Sequence, residues 1–280
     1  MTALPPGPPR RKCPAARALS GAGIGAYGTG CYGPRGCAFR VPGPGERSEE
    51  CVKVTPPTAT VRTATLASII YAGAARQFAA QAAGLDDVAM YQAANETRRR
   101  EIETELLNVS LAAVLTSYFA IEAFLNEVFL AGSLGLAGNF DGLGAAVAGR
   151  LSAAWDAGAS KLNPLEKADM ALVIALAEPL NSGEGFAQRF GLLHRLRNDL
   201  VHSEPQWTEH GKPATASDDK LERRLHRQFQ NASIWQGRGV GFRWHGCLGS
   251  GCASWAWITA AGFAQELSGR LGVRTYWMVV

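Results

Sequence analysis

From Leu66 onward, outside one polar insertion, apolar residues recur at intervals of three and four, and no two β-rich runs flank a tight turn. That spacing commits the chain to amphipathic helices, whose apolar stripes must be buried against one another. An all-α fold, an antiparallel helical bundle over residues 61–280, is therefore expected. Its helices are expected at Leu66–Ala83, Val88–Ala131, Ala145–Ala157, Glu184–Ser203 and Ala253–Leu271, with Gly272 as the last C-cap. Between them, Asn163, Pro164 and Glu166 supply an N-cap, an N1 proline and an N3 acid for a helix expected to run to Pro179. Glu96 and Arg100 form an i,i+4 pair in the favourable order, and Gly132–Gly144 is a glycine-rich break. Val273–Val280 reads as a short strand or a tail.

Two stretches depart from this pattern. Residues 1–60 are rich in Pro, Gly and Arg and lack periodicity, so a disordered tail is expected there. The same composition is what a misplaced start in a GC-rich reading frame would yield. The tail contains a GxGxxG at Gly23–Gly28, but Pro and Gly flank it where a dinucleotide loop needs a strand and a helix. Arg10 and Arg11 precede a weakly apolar stretch with no clear cleavage site, and export is not expected. The second stretch, a polar insertion at 205–251, carries one small basic helix expected at Asp218–Phe229.

Charge follows the same division. The net charge is +4, yet residues 1–50 hold 7 Lys/Arg against 3 Asp/Glu and residues 212–243 hold the same numbers, which leaves 14 against 18 elsewhere. The body is mildly acidic and the basic charge lies in the tail and the insertion. The longest notable apolar run, Leu106–Ile121, has 16 uncharged residues. It falls short of the roughly 20 that a span requires, so a buried helix is expected and no membrane partner. Six cysteines are too few for a disulfide-built fold, and a reducing, cytoplasmic setting is expected.

Charged residues interrupt two apolar stripes. Phe186, Phe190, Leu193, Arg197 and Leu200 share one helix face, with Arg197 at a core-like position. Leu115, Tyr118, Glu122, Leu125 and Phe129 share another, with Glu122 in the middle. An unpaired buried charge is costly, so an Arg197–Glu122 ion pair is the simplest expectation. His202 lies five residues beyond Arg197, about 140° round an ideal helix and nearer the face of Asn198. An exposed histidine favoured by the helix dipole accounts for His202 alone, but not for Arg197, Asn198, Asp199 and His202 crowding together before Pro205.

At these residues the chain resembles the HEPN-like superfamily. "RNDLVH" (Arg197–His202) fits its Arg-x4–6-His motif, in which a polar residue, often Asn, follows the arginine. "SYFAIEAFLNEVF" is similar to the second-helix signature with its inward Glu122, and "CASWAWITAAGFAQELSGRLG" to the closing helix. Arg195 also satisfies the loose motif; Arg197 is preferred because Asn follows it. The resemblance implies a homodimer that cleaves RNA without metal or cofactor, in a toxin or defence setting that includes a cognate antitoxin. In it His202 would take the proton of a ribose 2′-OH, Arg197 would hold the phosphate and Asn198 would orient it. Glu122 would fix Arg197 in place. The general acid would come from a second copy, since His194 lies eight residues from His202 and is assigned to a different face.

Two weaker groupings remain. Lys220, Arg223, Arg224, Arg227, Trp235, Arg238, Arg243 and Trp244 mix basic and aromatic residues as a single-strand RNA track would. A solvated charged helix is the commoner origin of such a mixture. His245, Cys247 and Cys252 lack a fourth zinc ligand, so no metal is expected. The alternative to an enzyme is a non-catalytic module of the same kind that binds nucleic acid or a protein.

Overall fold

Asn95 decides where the longest helix begins. Its side chain accepts the backbone N–H of Arg98 at 2.9 Å, while Ala94 before it is extended. The single helix expected from Val88 is therefore two. The structure is a computed structural model and describes residues 66–136, 138–181, 183–202, 216–236, 246–275 and 277. Among them are eight α-helices: α1 (Ala67–Leu85), α2 (Val88–Ala93), α3 (Glu96–Leu134), α4 (Gly144–Asp156), α5 (Pro164–Ile174), α6 (Gly185–Val201), α7 (Ala216–His226) and α8 (Ser250–Leu271). The described residues contain no strand, Val273–Arg274 included, and the fold is an all-α bundle. The expected tail at 1–60 lies outside the described residues.

α3 is the central helix, with α1, α4, α5, α6 and α8 packed on it. Ile102, Leu106, Ile121, Leu125, Val128 and Phe129 are fully buried along its length. By length and composition α3 is also apolar enough to cross a membrane, contrary to the expectation from the shorter uncharged run. Its place among five other helices accounts for that apolarity, because several of its faces carry core side chains. The Glu96–Arg100 pair forms at 3.1 Å with both side chains largely in solvent, where such pairs contribute only about 0.3–0.5 kcal/mol.

Close approach fixes how α4 meets α3. A Cβ on Gly132 would stand 2.6 Å from the Ala148 carbonyl oxygen. The Ser152 hydroxyl bridges the same contact, donating to the Phe129 carbonyl at 3.2 Å and accepting from the Ser133 N–H at 3.1 Å. α5 opens with both bonds of the expected capping box, between Asn163 and Glu166. It ends at Ile174 rather than at Pro179. Leu176 takes the left-handed conformation at φ 58°, and the Leu176 and Ala177 N–H groups close the helix on Val173 and Leu172. Gly272 caps α8 at φ 68°, as expected.

The ends of the insertion belong to the bundle. α7 buries Leu225, and Phe229 just beyond it lies 5.2 Å from the Trp255 ring. Further on, Ile234 and Trp235 pack with Tyr91, Ile102, Leu106 and Ala253 in a small second core. Asp86 at the end of α1 ties this segment down, accepting from the Ile234 N–H at 3.1 Å and from the Ser250 hydroxyl.

α1 borrows its N-terminal cap. Leu66 provides no side-chain bond, and Glu127 of α3 accepts instead from the Ser68 N–H at 2.9 Å and the Ser68 hydroxyl at 2.6 Å. Burial pushes the Glu127 carboxyl above its ordinary value, against the pull of the Ser68 bonds. A carboxyl raised in the folded protein binds its proton more tightly there than in the unfolded chain. Its contribution is greatest below the unfolded value and is lost as pH rises through the folded value. Glu127→Gln is thus expected to flatten the decline in Tm that this carboxyl causes as pH rises above its ordinary value of about 4. Parallel melting curves for the variant and the parent across that rise in pH would refute this.

Candidate functional site

The two interrupted stripes meet where α6 lies against α3. Arg197 is half-buried, as a charged residue on a core stripe must be if it keeps part of its head group in water. Its guanidinium sits on aromatic faces: Cζ is 5.0 Å from the Tyr118 ring centre and 6.0 Å from that of Phe119. Nη1 donates to the Asn198 side-chain oxygen at 2.9 Å, while Nε is buried without a partner. No hydrogen bond or ion pair within 4 Å joins Arg197 to Glu122, although both are described residues.

The expected Arg197–Glu122 bridge is therefore replaced by a cation–π seat, with Asn198 as the hydrogen-bond partner. The physical reason is that α3 presents the flat, nearly fully buried Tyr118 ring, 4% exposed, to the guanidinium. A weakly hydrated planar cation is well suited to such a face. Glu122 acts at longer range on three other groups. It helps raise the Tyr118 hydroxyl to about 12, after burial as the main cause, and opposes the lowering of Lys167 and His194. Lys167 of α5 is almost fully buried, donates to Asn126 Oδ1 at 2.8 Å and lies 5.3 Å from the Trp155 ring centre.

This changes what Arg197→Ala is expected to do. Losing a cation–π seat costs about 1–2 kcal/mol, rather than the roughly 3–5 kcal/mol of a broken buried ion pair. Arg197→Ala and Glu122→Gln should then be additive within about 0.5 kcal/mol in urea unfolding. A coupling of about 2 kcal/mol or more in that double-mutant cycle would restore the direct pair.

His202 is exposed and caps α6, its N–H bonded to the Asn198 carbonyl at 2.9 Å. Asn198 thus holds Arg197 with its side chain and His202 with its backbone. Arg195 is exposed, away from the aromatic seat that selects Arg197. The structure also brings His194, on a different face from His202, to the tyrosine that seats Arg197. Its ring meets Tyr118 edge-on at 5.6 Å and 87°, so one tyrosine supports both His194 and Arg197. Burial, then the Arg197 charge, holds His194 below its ordinary value. His194, Asn198 and His202 stand at i, i+4 and i+8.

The basic and aromatic residues of the insertion divide. Arg223 and Arg227 are exposed and Arg224 is half-buried. Trp235 is only 6% exposed within the second core, so it has no free face on which a base could stack; its indole is a packing residue. Arg238, Arg243 and Trp244 lie outside the described residues, as does His245. Cys247 and Cys252 are both buried and free, and beside Cys247 the Cys252 thiol is pushed up. No three His, Cys, Asp or Glu side chains gather as a metal site among the described residues. No family model matches the chain, and no curated protein or solved structure matches it.

Proposed function

We propose that this protein is a HEPN-type endoribonuclease that cleaves RNA by attack of a ribose 2′-OH on the adjacent phosphate, without a metal. The observation that carries the reading is the seating of Arg197. A guanidinium held on Tyr118 and braced by Asn198 is pre-positioned, and a solvent-exposed imidazole, His202, follows five residues later at the end of the helix. Such a cation stabilises charge gathering on a phosphate, and a histidine moves the proton at neutral pH. The exposed Arg223 of α7, which packs on α6, and Arg227 just beyond its end would add charge for the rest of the strand. In this reading two copies pair about a two-fold axis, with the C-terminal ends of α6 facing one groove.

The second reading, a non-catalytic module for nucleic acid or a protein partner such as a cognate antitoxin, is favoured by one feature of the same arginine. Its Nε is buried and one Nη1 bond is spent on Asn198, so fewer donors remain for a phosphate. Incubating purified protein with labelled RNA in EDTA separates the two. Fragments ending in a 2′,3′-cyclic phosphate are expected, and intact RNA at high enzyme concentration would rule out the nuclease.

A further inference from the structure

His194, Asn198 and His202 follow one another along α6 in steps of four residues, each turning about 40° and rising about 6 Å, which sets His202 about 80° round from His194. The two imidazoles are thus separated by about 12 Å of helix axis, and the Arg197 guanidinium, bonded to Asn198, stands at a height between them along that axis. A phosphate held by Arg197 would have one histidine towards each end of α6. The Nδ1 of His194 is buried without a partner, as is the Nε of Arg197. Tyr118 fixes the ring edge-on, with Phe190 stacked behind the tyrosine at 6.2 Å and 5°.

Resting on the ribonuclease reading, we infer that His194 is the second catalytic histidine of the same chain, the base that pairs with His202 as the acid. His194 removes the proton of the ribose 2′-OH and the 2′ oxygen bonds to phosphorus. The P–O5′ bond breaks, and the departing 5′ oxygen takes a proton from the His202 imidazolium. The products are a 2′,3′-cyclic phosphate and a 5′-hydroxyl, with no other reactant consumed. The groups around His194 suit a base: burial, the largest influence, disfavours its charged form, as do Arg197 and Arg195 on α6, while Glu122 on α3 and Glu166 on α5 favour it. Both acid–base groups then lie on one chain, and a two-fold partner serves to widen the groove rather than to complete the chemistry.

The test uses the full chain with labelled RNA and two variants, His194→Phe, which keeps a ring against Tyr118, and His194→Gln, which keeps polarity. Both are expected to lose about 10²–10⁴-fold in kcat, to lose the acid limb of the pH–rate profile and to keep the parent's circular dichroism. A folded variant of either kind that retains the parent's rate and acid limb overturns the assignment while leaving the nuclease intact. A parent protein that cleaves no RNA removes the nuclease reading and His194 with it. Mixing His194→Phe with His202→Ala protein is expected to restore nothing. Recovered cleavage in that mixture would place the two groups on different chains and overturn the inference.

Discussion

If the protein is the ribonuclease proposed, His202→Ala is expected to lower RNA cleavage by about 10²–10⁴-fold and to leave the thermal midpoint where it was. The two halves of this expectation have separate causes. His202 is exposed at the end of α6, and the one bond by which it caps the helix is made by its backbone N–H, which alanine retains. Little packing is lost with an exposed ring, so the fold is indifferent to it. The chemistry is not, because no other side chain within five residues beyond Arg197 can exchange a proton near neutral pH. Single-turnover cleavage and a melting curve on the same preparation check both halves. Unchanged cleavage would refute the mechanism, whereas a fall of many degrees in Tm would show that His202 is structural.

The largest effect on the fold is expected at Phe190. Its side chain is fully buried, stacked on Phe263 at 4.3 Å and on Tyr118 at 6.2 Å. Phe190→Ala removes the middle ring of this stack and leaves a cavity between α3, α6 and α8. Substitutions of this kind cost about 3–5 kcal/mol, a large part of the stability of an ordinary domain. The site should suffer beyond the fraction unfolded, since Tyr118 loses the ring behind it and with it the common support of Arg197 and His194. Urea unfolding measures the first effect. Cleavage per folded molecule measures the second, and an undiminished value would show that Tyr118 does not need Phe190.

Much of this was legible in the sequence, for identifiable reasons. Helix positions followed from periodicity, and the caps at Asn163 and Gly272 from side chains that satisfy or permit particular backbone ends. The break at Asn95 escaped notice because the charged residues after it read equally well as mid-helix. The stop at Leu176 escaped because a non-glycine residue in a left-handed conformation leaves no compositional mark. At the site, Arg197 and Glu122 stood out as charges on apolar stripes, yet their pairing was inferred from cost alone. Which partner a buried arginine takes depends on distances between helices, and only the packing of α6 on α3 shows Tyr118 in that place. Trp235 was misplaced for a similar reason, since neighbouring polar residues hid its burial. His194 was not legible as a site residue, because its contact with Tyr118 depends on how α6 packs on α3.

The seat of Arg197 has a consequence for acid tolerance and salt. A guanidinium held by a carboxylate is released when the carboxyl protonates, and ions in solution weaken the attraction even before that. An aromatic face has no proton to gain in acid, and its contact with the cation is shielded from solvent. Arg197 on Tyr118 therefore keeps its position through mild acidification and through high ionic strength. On the proposed ribonuclease reading, whatever such conditions do to turnover then reads out the histidines and the RNA, with the anchor itself standing still.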